Sequence, residues 1–533
     1  MTLFHELFDA TVERAAARPA LRYRDRQCSY AELQERSCRL AAALRRLGVQ
    51  KGDRVLIYLQ NRPEVVEAAL ACSRLGAIFV PASPMLRQRQ LEHVLRDSGA
   101  KVLLSSTSAL VPPAEVCKAS PSLVALVICG EPAGALPLRS VRYEELMEAP
   151  PLDIAAPAID CDAAAILYTS GSTGKPKGVV VSHRNLVSGA RSVSSYLENV
   201  PDDRLLAALP LSFDYGFSQV STAFTVGACA VLTNFSTAAA LVQEVGAARI
   251  TGLAGVPTMW AHLAASEWPA GAAESLRYIT NSGGTLAAAI LGRLRSKLPK
   301  TKIFCMYGLT EAFRSTYLDP RELDRKPGSI GKAIPNQEVL VLRPDGTRCA
   351  PGEVGELVHR GSLVTLGYWN DAERTLQRFR PVPTINPGLV SEIAVWSGDL
   401  VRADEEGFLY FVGRKDELIK TSGYRVSPTE IEEVVLEVPG VLEAVAVGAP
   451  DEVLGQKILV AIVVEAGTGP EVVDAVRQHT RMQLPAYMTP AHVQIVGSIA
   501  RNSNGKPDRH AVLLELQASI AAEASSPVAR AHR

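Results

Sequence analysis

The run Tyr168-Thr169-Ser170-Gly171-Ser172-Thr173-Gly174-Lys175-Pro176-Lys177-Gly178 gathers the chemistry of an anion site into eleven residues. Gly171, Gly174 and Gly178 free the backbone to bring its N–H groups close to a ligand. Thr169, Ser170, Ser172 and Thr173 add hydroxyl donors, and Lys175 and Lys177 add positive charge. A polyphosphate is the ligand this set suits. The plainer reading is a solvated hairpin with a basic tip. A nucleotide-triphosphatase P-loop is excluded, because Gly171 and Gly174 stand too close together and Pro176 follows Lys175.

Four further groups could do chemistry. Ser282-Gly283-Gly284-Thr285 is either a tight turn or backbone lying flat against a purine. In Tyr307-Gly308-Leu309-Thr310-Glu311, Tyr307 could stack on a base, Thr310 could bond a phosphate, and Glu311 is a hard oxygen ligand suited to Mg²⁺. Ser397-Gly398-Asp399 suits a carboxylate bridging the two ribose hydroxyls, although such a tripeptide is also a common turn. Near the end, the Asn504-Gly505 turn presents Lys506, which read alone is a solvated lysine.

These groups need a scaffold, and the pattern predicts one of α/β type. Leu3, Phe4, Leu7, Phe8 and Val12 recur at helical spacing. Ser29 with Glu32 forms a capping box for a helix that Gly48 stops. The strand Arg54–Tyr58, the helix Pro63–Leu75 and the strand Ala77–Val80 alternate as in a parallel sheet. Ala164–Leu167 and Val179–Val181 flank the Gly/Ser/Lys run as strands. Leu205–Leu211 reads as a strand and Phe213–Phe224 as a helix. Ala228–Leu232, Ile250–Ala254, Leu276–Thr280 and Ile303–Tyr307 read as buried strands. The chemistry-bearing runs then fall at strand ends, where open α/β sheets bind ligands.

From about Ile334 the texture changes to short strands and Pro/Gly turns, a small β subdomain over about 334–412 within a core of 1–412. Arg380–Pro387 reads as a surface loop. A separate α+β domain is expected over 413–516, with helices at Pro428–Leu436 and Glu471–Met482 and strands at Val441–Val447 and Ile458–Val464. A fraying tail is expected over 517–533.

Composition sets the class. The chain has 533 residues, 47% hydrophobic and 21% charged, ordinary for a globular protein of several domains. Its 56 basic and 56 acidic residues give no electrostatic reason to expect nucleic acid or an anionic membrane. Nine scattered cysteines without a Cys-x-x-Cys pair suit reduced thiols. Glu6, Asp9 and Glu13 argue against a signal peptide, no apolar run suits a membrane helix, and a cytoplasmic protein is expected.

The Tyr168–Gly178 run resembles, residue for residue, the phosphate loop of the adenylate-forming superfamily: acyl-CoA synthetases, luciferases and the adenylation domains of nonribosomal peptide synthetases. The runs at 282–285, 307–311, 397–399 and 413–426 and the lysine loop at 502–506 resemble that superfamily's motifs in the same order. The resemblance spans Tyr30 to Arg509. It implies an AMP-forming ligase with ATP and Mg²⁺. A carboxylate attacks the α-phosphate, pyrophosphate leaves, and a thiol then takes the acyl group and releases AMP. Lys506 would bridge carboxylate and α-phosphate. Arg414 would contact ribose or phosphate, and Asp416 would be the hinge about which the C-terminal domain turns. Pro507 departs from the aliphatic residue usual in the family and stiffens the lysine loop.

The same resemblance bears on the substrate. Fatty acyl-CoA synthetases usually carry a histidine where Phe213 stands. Amino-acid-activating members carry Phe-Asp, the aspartate holding the substrate amine, and the chain is similar in Phe213-Asp214 to free-standing prolyl-type carrier-protein ligases and exosortase-associated ligases. The implied pocket is Asp214, Tyr215, Ser218, Ala254, Thr280, Ser282, Met306, Arg314 and Ser315. Arg314 is unusual there and has two possible partners, Asp214 or a second acid group on the substrate. Read as structure alone, Asp214 is a helix cap, a role Ser212 could fill equally. The implied product is a small amino acid, proline first, held as a thioester on a carrier-protein phosphopantetheine. The alternative is an acyl-CoA synthetase acting on an acid without an amine.

Overall fold

The computed structural model describes residues 2–86, 88–106, 120–130, 140–151, 157–169, 176–382, 390–415, 417–421, 424–451, 454–484, 486–502 and 505–525. Its mixed α/β architecture has a large N-terminal part built on two sheets and a small C-terminal part built on a third.

The first sheet carries the strands Arg54–Tyr58, Ile78–Ala82, Val102–Ser106 and Ala125–Cys129 in parallel, fully buried except at Arg54. Strands covered on both faces read as continuous apolar runs, as these do. At one edge, Ala163–Thr169 pairs antiparallel with Lys177–Ser182, so the Gly/Ser/Lys run closes a hairpin. Residues 170–175 at its tip lie outside the described residues.

In the second sheet Arg204–Ala207, Cys229–Leu232, Gly252–Gly255, Tyr278–Asn281 and Lys302–Tyr307 run parallel. Arg204–Ala207 is shorter than the strand expected to reach Leu211. Asn61 takes over the backbone there: its Nδ2 donates to the carbonyls of Ala207 (3.1 Å) and Leu209 (2.9 Å), and its Oδ1 accepts from Leu211 N–H at 2.9 Å. The helix Asp214–Val226 follows. Its Phe217 and Phe224 pack on Phe4 and Phe8 of the first helix, Phe4–Ala15, with ring centroids 5.5 and 4.8 Å apart. The Ser29–Glu32 capping box is present at the head of Tyr30–Arg46.

The strands Gln337–Leu342, Val354–Gly361, Ile393–Ala403 and Leu409–Arg414 pair antiparallel, as expected of the β-rich stretch. They are not isolated: Ser329–Ala333 pairs with Leu409–Arg414 on one side and with Thr316–Leu318 on the other, tying them to the second sheet. Part of the expected surface loop is a short strand, Phe379–Pro381, paired with Ile393–Ala403; residues 383–389 lie outside the described residues.

In the C-terminal part, Val441–Asp451 and Gly455–Val464 form a long hairpin joined by Ile419–Thr421, Tyr424–Val426 and the parallel strand His492–Ile495. Apolar side chains on its two faces bury against Pro428–Leu436 and Val472–Gln483 on one side and against Arg509–Ser525 on the other. Val512 and Leu516 of that last helix are buried, and the helix continues to Ser525; residues 526–533 of the expected fraying tail lie outside the described residues. Arg293 meets Glu465 across the two parts at 2.7 Å, and His262 Nε2 lies 3.7 Å from Glu443. Among the described residues no helix is long and apolar enough to cross a membrane.

Candidate active site

The carboxyl ends of the parallel strands assemble the site. Gly252–Gly255 delivers Ala254, Tyr278–Asn281 delivers Thr280 and then Ser282, and Lys302–Tyr307 delivers Met306 and Tyr307. Gly283 adopts φ +85°, a left-handed turn that favours glycine. Asn281 Nδ2 donates to Gly284 O at 2.9 Å and pins the turn, leaving Gly284 and Thr285 exposed.

The chain then makes a short 3₁₀ turn, Thr310–Ala312, and Phe313 follows at φ +54°, ψ −44°. A non-glycine residue in that region stores strain, a common mark of functional sites. Glu311 and Arg314 lie on either side of it, both buried. Gly189 makes room for the Phe313 ring: a Cβ there would lie 2.6 Å from it.

Glu311 lies within an ionic cluster. Lys177 Nζ donates to Glu311 Oε1 at 2.8 Å and to Tyr368 Oη at 3.0 Å, and Tyr368 donates to the same Oε1 at 2.6 Å. Burial alone would raise the Glu311 carboxyl, but Lys177 and the two hydrogen bonds outweigh it and hold the pKa down at about 2. Backbone pairing brings Tyr368 there. Leu366 N–H donates to Val180 O (2.9 Å), Trp369 N–H donates to Gly178 O (2.8 Å), and Thr365 Oγ1 donates to Glu311 O (2.8 Å). The segment 365–369 therefore ties the hairpin to the Glu311 turn.

Tyr307 donates to Asp399 Oδ2, and its ring lies over His359 at 6.2 Å between centroids. Arg414 Nε stands 3.7 Å from Asp399 Oδ1, in register across the paired strands. Burial pushes the Asp399 carboxyl up, against the pull of Arg414. Its Oδ1 is buried and accepts no hydrogen bond among the described residues.

Asp214 opens its helix, with Oδ1 accepting the Tyr215 N–H at 2.8 Å. The cap position belongs to Phe213, without a side-chain bond, so neither Asp214 nor Ser212 is the expected cap. Arg314 Nη1 lies 3.6 Å from Asp214 Oδ2, its Nη2 donates to Asp214 O at 3.2 Å, and its guanidinium sits 4.9 Å from the Tyr215 ring centre. Burial raises the Asp214 carboxyl even so. Tyr215 Oη donates to Thr280 O at 2.9 Å. Ser218 on the helix, Ala254 and Met306 on the strands and Ser315 after the turn are all buried, and Tyr196 Oη lies 3.0 Å from Met306 Sδ.

Lys506 reaches this region from the C-terminal part. A Cβ on Gly283 would lie 3.7 Å from its Cε, and its charge acts on both Asp214 and Asp399. Gly505 at φ +77° and the Asn502 side chain, accepting Lys506 N–H at 3.1 Å, shape the loop. Pro507 pairs with Arg501 as an isolated bridge, so the proline extends the loop's short β contact.

The structure thus gathers Thr169, Lys177, Asp214, Gly283, Tyr307, Gly308, Thr310, Glu311, Arg314, Asp399, Arg414 and Lys506 around the ends of the parallel strands. Ser170, Gly171, Ser172, Thr173, Gly174, Lys175 and Asp416 lie outside the described residues. Sequence reading missed Tyr368, His359 and Arg378. Arg378 donates to Trp396 O at 3.0 Å and lies beside Gly398. Among the described residues no group of three or more His, Cys, Asp or Glu is placed to hold a metal. Glu311, kept ionised, is a fitting single protein ligand for Mg²⁺ that nucleotide phosphates would complete.

Residues 8–369 match the AMP-binding enzyme family, and 430–506 match the AMP-binding enzyme C-terminal domain. The chain belongs to the AMP-binding enzyme family. This AMP-binding enzyme is 31% identical over 512 residues to a subunit of the linear gramicidin synthase of Brevibacillus parabrevis, across 95% of this chain but 10% of that protein. It spans a tenth or less of the gramicidin and tyrocidine synthases it matches. It is also 31% identical over 504 residues to feruloyl-CoA synthase of an Amycolatopsis species, across 93% of this chain and 96% of that one. Among solved structures, o-succinylbenzoate coenzyme A synthetase of Bacillus subtilis in complex with ATP and magnesium ion is similar, with TM-score 0.80, 29% identity, and 95% and 98% of the two chains covered.

Proposed function

We propose that this chain is an AMP-forming ligase that activates a small amino acid, whose ammonium pairs with Asp214, and passes it to a carrier-protein phosphopantetheine thiol. The observation that carries the reading is a carboxylate, 4% exposed, beside the region Lys506 reaches. A buried carboxylate is costly unless a cation meets it, and an amino acid brings one. The Phe213-Asp214 pair and the similarity to part of a gramicidin synthase support it.

In this reading Lys506 meets the reacting carboxylate and α-phosphate, Asp399 takes the ribose hydroxyls, and Tyr307 lies against the adenine. Lys177 and the 170–175 run hold the departing pyrophosphate. Glu311 would hold Mg²⁺, which when bound offsets charge on the phosphates. These residues act by placement and electrostatics, the main sources of rate in phosphoryl chemistry. The two half-reactions need different surroundings, and a turn about Asp416 supplies them.

One observation favours a second reading. Arg314 already balances Asp214, and feruloyl-CoA synthase is similar over nearly its whole length. In that case the product is a coenzyme A thioester of an acid without an amine. Mass spectrometry of thioesters formed with holo carrier protein and with coenzyme A decides: carrier loading supports the proposal, and a clear preference for coenzyme A overturns its acceptor.

A further inference from the structure

We propose that the amino acid activated here carries a second acid group, and that Arg314 binds it. The inference rests on the amino-acid reading of Asp214 and narrows its substrate class.

Arg314 is 5% exposed, yet its hydrogen bonds go to backbone carbonyls, Phe313 O at 3.2 Å and Asp214 O at 3.2 Å. Its Nε has no hydrogen-bond partner among the described residues. The nearest carboxylate oxygen, Asp214 Oδ2, stands at 3.6 Å, beyond hydrogen-bond reach. A guanidinium offers a planar fork of donors, and burial leaves an unused donor costly. Here the fork is held in place by the Tyr215 ring at 4.9 Å and the Phe313 ring at 5.7 Å. The result is a pre-positioned, under-bonded cation, the arrangement that suits bidentate capture of a carboxylate.

Charge balance points the same way. Empty, the Asp214–Arg314 pair is neutral. A neutral amino acid would spend its own carboxylate at Lys506 and bring one ammonium to Asp214, leaving Arg314 as an uncompensated buried charge. An amino acid with a second carboxylate restores the balance, one group on each partner, and lets Asp214 and Arg314 both gain hydrogen bonds they lack. The pair lies 3.6 Å apart, so the two substrate groups must be close together, as in a short amino diacid.

The test is ATP–pyrophosphate exchange with aspartate and glutamate, with alanine and proline, and with the amine-free succinate and glutarate. The expected result is kcat/KM at least about 10²-fold higher for an amino diacid than for alanine or proline, below the roughly 10⁴–10⁵ that a site reaches when its polar groups would otherwise be unpaired. Arg314→Gln should raise KM for the amino diacid by a similar factor and abolish the preference. Preference for alanine or proline in the wild type overturns the inference and leaves the Asp214 reading standing. Equal exchange with succinate or glutarate overturns the Asp214 reading, and the inference with it. The wild-type panel decides between these outcomes even if the variant fails to fold.

Discussion

Lys177 and Tyr368 converge on one oxygen: both donate to Glu311 Oε1, at 2.8 and 2.6 Å, from segments 191 residues apart in sequence. The pair joins the foot of the Gly/Ser/Lys hairpin to the carboxylate proposed to hold Mg²⁺. Glu311→Gln keeps the shape but removes the charge. Exchange activity should fall on the order of 10²–10³-fold, the cost of one well-placed charge contact. The Mg²⁺ concentration for half-maximal rate should rise. An unchanged Mg²⁺ titration would assign Glu311 to structure alone.

The same cluster has an acid signature. The Glu311 pKa is depressed to about 2 from an ordinary 4.5. Its contribution to stability is therefore complete above 4.5 and is lost as pH falls through about 2. In thermal melts the gap between wild type and Glu311→Gln should stay constant above pH 4.5 and shrink below it. A constant gap down to pH 2 would contradict the pairing.

Three buried histidines set a milder pH limit. Burial lowers His5 and His183 to about 4 and His359 to about 3 from an ordinary 6.5. The folded chain keeps these rings neutral where the unfolded chain protonates them. Their contribution is complete above pH 6.5 and is lost as pH falls through 4 to 3. The melting temperature should drop steadily from pH 6.5 downward, and His359→Gln should flatten that slope. A flat profile between 6.5 and 4 would contradict the burial of these rings as neutral groups.

Gly189→Ala tests the strained turn. The added methyl would collide with the fully buried Phe313 ring, at a cost of roughly 1–3 kcal/mol typical of overpacking. Because Phe313 sits between Glu311 and Arg314, activity should fall more than stability does. Circular dichroism melts and exchange assays on one preparation separate the two, and equal small losses would show that the turn tolerates the shift.

Much of this site was legible from local chemistry. Gly283, Tyr307, Glu311, Asp399 and Lys506 sit in short runs with few plausible uses, at ends of strands that hydrophobic patterning located. Tyr368, His359 and Arg378 were not legible. Each reaches the site through long-range pairing, Tyr368 through the bonds of Leu366 and Trp369 to Val180 and Gly178, which no local pattern encodes. Strand ends shifted where side chains replace the ladder, as Asn61 does after Ala207. The helix Arg509–Ser525 was not legible because Ala and Ser dominate its second half, while Val512 and Leu516 carry its burial.

Whether Asp214 binds an ammonium group is decided by one comparison. ATP–pyrophosphate exchange is measured for the wild type and Asp214→Ala, each with the preferred amino acid and with the matched acid lacking the amine. The wild type should exchange strongly with the amino acid alone. Asp214→Ala should show a steep rise in KM for that amino acid, with KM for ATP nearly unchanged. Equal turnover of the amine-free acid by the wild type, with no selective effect of Asp214→Ala, would contradict it.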